Sequence, residues 1–214
     1  EAIADNILNN YTIIVHQINL NKKPTIIRTG KHGEFKVSEQ NAYDYWTNLV
    51  ENSDDHQLKI QRMKVLQSFE TKEKYAKLLF DSQTDKTIIF ANTQKQADFL
   101  CLHSYHTGNK DSKENLTMFE NGEIDKLSAV EQLNEGVTIP NLKNGIIMHS
   151  YSNNIKANQK LGRLLRLNPK DSSTVHILCY KDTIDEVWVK QALKSLDQNK
   201  IEWRTPMYYE GIDY

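Results

Sequence analysis

From Lys86 onward the chain alternates short, unbroken apolar runs with stretches of helical period. The runs are Thr87-Ile88-Ile89-Phe90-Ala91, Lys126-Leu127-Ser128-Ala129-Val130, Gly145-Ile146-Ile147-Met148 and Val175-His176-Ile177-Leu178-Cys179. Helices are expected over Thr93–Leu102, over Ser112–Asn121, after Met148 and over Thr183–Leu196. A run without polar alternation fits a strand covered on both faces, and parallel sheets flanked by helices provide that environment. Parallel neighbours also need crossover connections, which the intervening helices supply. The pattern therefore predicts an α/β fold, with a mainly parallel sheet between two layers of helices. Upstream, Tyr11–Leu20 reads as a further strand, and Lys22–Ser38, with Gly30 and Gly33, as a hairpin or mobile loop. Gln40–Asn52 and Leu58–Phe80 read as two helices, the second from Leu58, Met63, Leu66, Phe69, Tyr75, Leu78 and Leu79 at helical spacing. The expected organisation is a linker or helix end over 1–10 and one domain over 11–199, with a hairpin and helical insertion at 21–57. A C-terminal extension over 200–214 completes it. The aromatics of that extension, Trp203, Tyr208, Tyr209 and Tyr214, either pack it back on its own domain or stack on bases.

A chain of 214 residues with net charge −1 is not a binder that is basic throughout, although a local basic face stays compatible with that balance. Cys101 and Cys179 lack a CxxC or a paired His/Cys spacing, so both read as reduced core thiols in an intracellular, cytoplasmic protein. No apolar run approaches the roughly 18 residues of a membrane span, and no signal-peptide pattern opens the chain. Histidines such as His103 and His106 stand without a carboxylate or thiol at ligand spacing, so no structural metal is expected. The first residue is Glu rather than Met, which reads as a cut from a longer chain.

In open parallel sheets, ligands gather beyond the carboxyl ends of the strands. Asn92 and Thr93 follow the first run and offer a helix N-cap whose backbone N–H groups attract an anion. Thr107 and Gly108 offer a hydroxyl and a backbone N–H, and Ser128 lies on the next strand. Beyond the Gly145–Met148 run comes Gln159-Lys160-Leu161-Gly162-Arg163-Leu164-Leu165-Arg166. Gly162 is about 1 kcal/mol worse than alanine in a helix, and it admits close approach of a backbone or ligand. Arg163 and Arg166, three apart, share a helix face and converge on one anion, or else they are surface charge on a core helix. Gly30-Lys31 is not a phosphate loop, because Thr25 and His32 stand where the pattern needs a glycine and a hydroxyl. Leu78-Leu79-Phe80-Asp81 reads as the end of a helix, and Asp185-Glu186 as helix-start charge.

Taken in order, these segments resemble the second RecA-like domain of superfamily 2 helicases of the DEAD/DEAH-like kind. Thr87–Thr93 resembles motif IV, and Tyr105–Gly108 the single-strand contact that follows it. Leu127–Pro140 resembles motif V and Gln159–Arg166 motif VI. The resemblance covers residues 86–196 and also takes in Tyr11–Leu20 as the opening strand. It implies a RecA-like three-layer fold and makes Arg163 and Arg166 arginine fingers for ATP with Mg2+ held mainly by a preceding domain. It implies that Gln159 orients nucleotide or water, and that Gly136, with Gly162, lies close to the nucleotide. Asn92, Thr93, Thr107, Gly108 and Ser128 would hold the phosphates of a nucleic-acid strand. The implied partners are DNA, in preference to RNA, as a single strand or branched junction, and an N-terminal RecA-like domain of the same protein. Two positions depart from the pattern. Thr138 stands where many relatives carry Asp, and Lys160 where many carry Arg.

No Walker A loop, DExx box after a buried strand, or Ser-Ala-Thr motif occurs in these residues. They are therefore expected to act as the C-terminal motor half of an ATP-dependent helicase or translocase, and alone to hydrolyse ATP negligibly. Two other readings stay open at this level. One is a different α/β phosphate-ligand or transferase domain, and the other a degenerate RecA-like module that only binds partners.

Overall fold

The computed structural model describes residues 10–31, 33–130, 139–149 and 172–205. Seven strands form one sheet: β1 (Asn10–Ile18), β4 (Thr87–Ala91), β5 (Ser104–Tyr105), β6 (Lys126–Val130), β7 (Asn144–Ile147), β8 (Ser172–Tyr180) and β9 (Ile201–Arg204). Their order is β5-β6-β4-β7-β8-β1-β9, and every neighbouring pair is parallel. β2 (Ile26–Gly30) and β3 (Gly33–Val37) pair antiparallel as a separate hairpin, the first of the two options for this stretch. Among the described residues the helices are α1 (Glu39–Glu51), α2 (His56–Gln67), α3 (Glu70–Ser82), α4 (Gln94–Leu100), α5 (Ser112–Asn121) and α6 (Ile184–Leu193).

The unbroken apolar runs do what their composition demands. In β4, Ile88 and Phe90 point into one core while Ile89 and Ala91 point into the other. The first core holds Phe119 of α5, and Val189 and Leu193 of α6. The second holds residues from α1 to α4, among them Tyr43, Leu66, Tyr75, Phe80 and Leu100. The fold is thus the expected three-layer α/β arrangement with a mainly parallel, RecA-like sheet.

Three expectations need correction. The helix read over Leu58–Phe80 is two helices, interrupted at Ser68 and Phe69. Phe69 takes an extended conformation (φ −72°, ψ 134°), and its ring meets Tyr180 edge-on at 5.9 Å in the core. Leu78 is exposed although it kept the period. The segment from Lys200 is not wholly an extension, since β9 adds a strand to the sheet beside β1, with Ile13 opposite Ile201.

A buried ion pair ties the second helical layer to the sheet. Lys72 of α3 pairs with Asp185 at the start of α6, both essentially excluded from solvent. The Lys72 ammonium also stands 4.6 Å over the Tyr180 ring, and the Lys72 N–H donates to the Tyr180 hydroxyl at 2.9 Å. Asp185 in turn accepts the Tyr180 N–H at 3.1 Å. Among the described residues, no helix is long and apolar enough to cross a membrane.

Candidate functional site

Because all seven strands run the same way, their carboxyl ends share one edge of the sheet. β4 is flanked by β6 and β7, with Ala91 opposite Val130 and Phe90 opposite Ile147. The chain direction diverges here. After β4 it enters α4, packed in the second core, whereas after β6 it reaches Ile139 and Leu142 in the first. Such a divergence opens a crevice beyond the strand ends, where ligands of open α/β sheets bind. The segments containing the motif V and motif VI resemblances leave from this edge, after Val130 and after His149.

Thr93 is the N-cap of α4, its hydroxyl accepting the Gln96 N–H at 3.2 Å. Asn92 is held from two sides: its amide donates to Gln67 at 2.7 Å, and its N–H donates to the Gln96 side chain at 3.2 Å. Thr107 and Gly108 follow β5 and lie exposed. The structure brings these two groups together through Gln94, whose amide donates to the Thr107 hydroxyl at 3.1 Å. A Cβ on Gly108 would stand 2.4 Å from the Gln94 side-chain oxygen, so the glycine permits this approach.

Ser128 does not belong to this surface. It is fully buried between the sheet and α4, and its hydroxyl donates to the Ala97 carbonyl at 2.8 Å. In a strand covered on both faces, each alternate side chain enters one core or the other, so a hydroxyl there finds a backbone partner instead of a phosphate. The Gly108 N–H is also not open as expected, since it donates to His106 Nδ1 at 3.2 Å. Gly136, Gln159, Gly162, Arg163 and Arg166 lie outside the described residues.

Reading the sequence missed the pair that shapes the Thr107–Gly108 turn. His106 Nε2 lies 2.8 Å from Asp98 Oδ1, which also accepts the Ser104 hydroxyl at 2.6 Å. With Nε2 donating to Asp98, Nδ1 is the acceptor for Gly108, which assigns the tautomer from the bonds themselves. Hydrogen bonds from Ser104 and His106 hold the Asp98 carboxyl below its ordinary value. Asp98 precedes His106 by eight residues across a helix end and a strand, a separation with no periodic signature. Leu78–Asp81 lies in the last turns of α3, as read, and Asp185 and Glu186 open α6. Among the described residues, no group of three or more His, Cys, Asp or Glu is arranged to hold a metal ion.

Residues 70–168 match the family described as helicase conserved C-terminal domain. The matched stretch begins with α3, contains β4 to β7, and ends just beyond Arg166. Just under half of the chain is therefore similar to a helicase C-terminal domain. Over 119 residues it is 29% identical to the DNA 3'-5' translocase XPB2 of Sulfurisphaera tokodaii, covering 53% of this chain and 27% of that protein. The chain thus spans about a quarter of the length of that curated relative. Among solved structures, S. cerevisiae Dbp5 bound to Gle1 and IP6 superposes with a TM-score of 0.54 at 14% identity, over 65% of this chain and 40% of that one. Dbp5 bound to RNA and ADP BeF3 gives 0.52 at 11% identity, over 92% of this chain and 41% of that one. At these identities the superpositions establish the shared fold. The family match favours the helicase reading over a transferase or a bare interaction module.

Proposed function

We propose that this helicase C-terminal domain is the second half of an ATP-dependent motor that moves on or remodels nucleic acid. One observation carries the reading: the segments matching the helicase family leave the sheet at one place, the carboxyl ends of β6, β4 and β7. In this reading ATP with Mg2+ is held mainly by an N-terminal RecA-like domain. Arg163 and Arg166 reach its phosphates across the domain interface, with Gln159, Gly136 and Gly162 close to the nucleotide. An arginine finger stabilises charge that develops on the transferred phosphoryl group, so it acts on turnover more than on ground-state binding.

Thr93 and Thr107, with Gly108 shaping the turn and Asn92 behind them, are proposed to hold one strand by its phosphates. Contacts of that kind set position, not sequence preference. DNA is proposed ahead of RNA, supported by the name of the XPB2 relative. An intracellular setting is supported by the free thiols of Cys101 and Cys179. No Walker A loop occurs in the 214 residues, so they are proposed to hydrolyse ATP negligibly without a nucleotide-holding domain.

The test joins the chain to its native upstream domain and compares Arg163→Ala with the parent. Strand-stimulated ATP turnover is expected to fall about a thousandfold or more, with nucleotide affinity changed far less. Undiminished turnover would reject the arginine assignment. Substantial turnover by the 214 residues alone would reject the split site.

A further inference from the structure

The β2–β3 hairpin stands on the same edge of the molecule as the loops just described. It leaves the carboxyl end of β1 and returns into α1. In the sheet order β1 lies three positions from β4, about 14 Å at roughly 4.8 Å per strand. Both feet of the hairpin are fixed. The buried Glu39 carboxylate accepts the N–H of Asn21 from one foot and of Thr71 from α3, each at 3.0 Å. The Gln40 N–H donates to the Asn21 carbonyl at 3.2 Å, and Ser38 caps α1. Ile26 and Val37 are half-buried against the second core. Beyond them Ile27, Arg28, Thr29, Lys31, Glu34, Phe35 and Lys36 are all exposed.

The exposed part is strongly cationic. Between Lys22 and Val37 stand Lys22, Lys23, Arg28, Lys31 and Lys36 against Glu34 alone, in a chain whose net charge is −1. Among the described residues, no ion pair involves Arg28, Lys31 or Lys36. Phe35 lies directly across from Arg28 in the ladder. One side of its ring rests over bare backbone at Gly30, where a Cβ would come within 2.9 Å. The ring nevertheless remains 51% exposed. A flat ring fixed on the same face as Arg28, with Lys31 at the turn, matches a strand that offers phosphates on one side and base faces on the other.

We propose that this hairpin is a second nucleic-acid contact, with Arg28, Lys31 and Lys36 on phosphates and an unstacked base against Phe35. The inference rests on the reading that the domain acts on nucleic acid, and it adds an arm that would grip the strand away from the Thr93–Gly108 group.

The test measures binding of the full chain to fluorescent single-stranded oligonucleotides by anisotropy over a range of salt. Arg28→Ala with Lys36→Ala should lower affinity and reduce the log–log salt slope by about 1.4, the change for two phosphate contacts on a single strand. Phe35→Ala should weaken binding at least about fivefold with the salt slope unchanged. Lys194→Glu, just beyond α6 at the opposite edge of the sheet, controls for general loss of positive charge. Should Phe35→Ala lower the thermal midpoint, the exposed Arg28/Lys36 pair decides the question. Hairpin variants that bind like the parent while Thr107→Ala binds more weakly overturn the hairpin and leave the motor reading standing. A parent chain that binds no oligonucleotide overturns both.

Discussion

Lys72 and Asp185 are the residues on which the second helical layer depends most directly. Two opposite charges withdrawn from water are tolerable together, but removing one strands the other in a low-dielectric core. Lys72→Ala leaves Asp185 with only backbone partners and should destabilise the chain by about 3–5 kcal/mol in urea titrations. Replacing both residues with apolar side chains of similar volume should recover most of that loss. A single variant as stable as the parent would show that Asp185 finds another partner. Ser128 makes the opposite kind of case. Its hydroxyl donates to the Ala97 carbonyl, so Ser128→Ala should cost about 1 kcal/mol and leave oligonucleotide affinity unchanged. A loss of affinity without loss of stability would return Ser128 to the interface. The residue type suggested a phosphate contact, but the alternation of Leu127 and Ala129 into the first core already implied that Ser128 points into the second. The His106–Asp98 pair was not legible, because it depends on a loop closing over a helix end.

At the scale of elements, the strands with continuous apolar runs were legible nearly to the residue: β4, β6 and α5 have the boundaries their sequences imply. The failures share a physical cause. The break between α2 and α3 keeps the helical period through Phe69, so only the core that receives its ring reveals it. β5 is two residues long and β9 four, both too short for period or composition to register. Under α3, the seam between β1 and β8 carries a buried polar chain: Tyr75 OH to His16 at 2.6 Å, and His16 to His176 at 3.0 Å. Burial, then the neighbouring His176, then Arg204, lower His16 to about 3, against a smaller upward pull from Glu202. Burial and Arg204 lower His176 to about 4. Both groups therefore bind protons more readily in the unfolded chain. Their contribution is complete above about pH 6.5 and is lost as pH falls from there toward 4 and then 3. Between pH 7 and pH 5 each should remove roughly 2 kcal/mol of stability. Glu39, raised by burial, acts in the opposite sense, since its penalty is relieved as pH falls. Urea midpoints at pH 7, 6 and 5 should decline, and more shallowly in His176→Leu. A flat profile in the parent would mean that the histidines take up protons while folded.

For the whole molecule, the sheet sets which surfaces meet a ligand and which must be closed. Its parallel order places every strand's carboxyl end, and the foot of the hairpin, on one edge, so a ligand bound there can touch loops from well-separated parts of the sequence. That shared edge was legible from the alternation of strands and helices, because parallel strands leave no other arrangement. The lateral borders of the sheet were not. β1 is buried along most of its length and pairs with β8 through nine residues, so its other side needs a partner as well. β9 supplies one: Ile201 packs against the first core, and the Thr205 hydroxyl donates to the Gln17 side chain at 3.1 Å. Lys190 stands 5.7 Å over the Trp203 ring, joining α6 to the same border. Removing residues 201–214 would therefore uncover a long, apolar β1 edge able to template another chain. The lost ladder bonds and the half-buried Ile201 together amount to roughly 2–3 kcal/mol. The shortened chain should unfold at lower urea and associate as its concentration rises, measured by light scattering. Restoring 201–205 alone should return it to the parent's behaviour, which separates closure of the edge from any effect of the residues beyond. A shortened chain that stays monomeric with the parent's urea midpoint would show that β9 decorates the sheet without closing it.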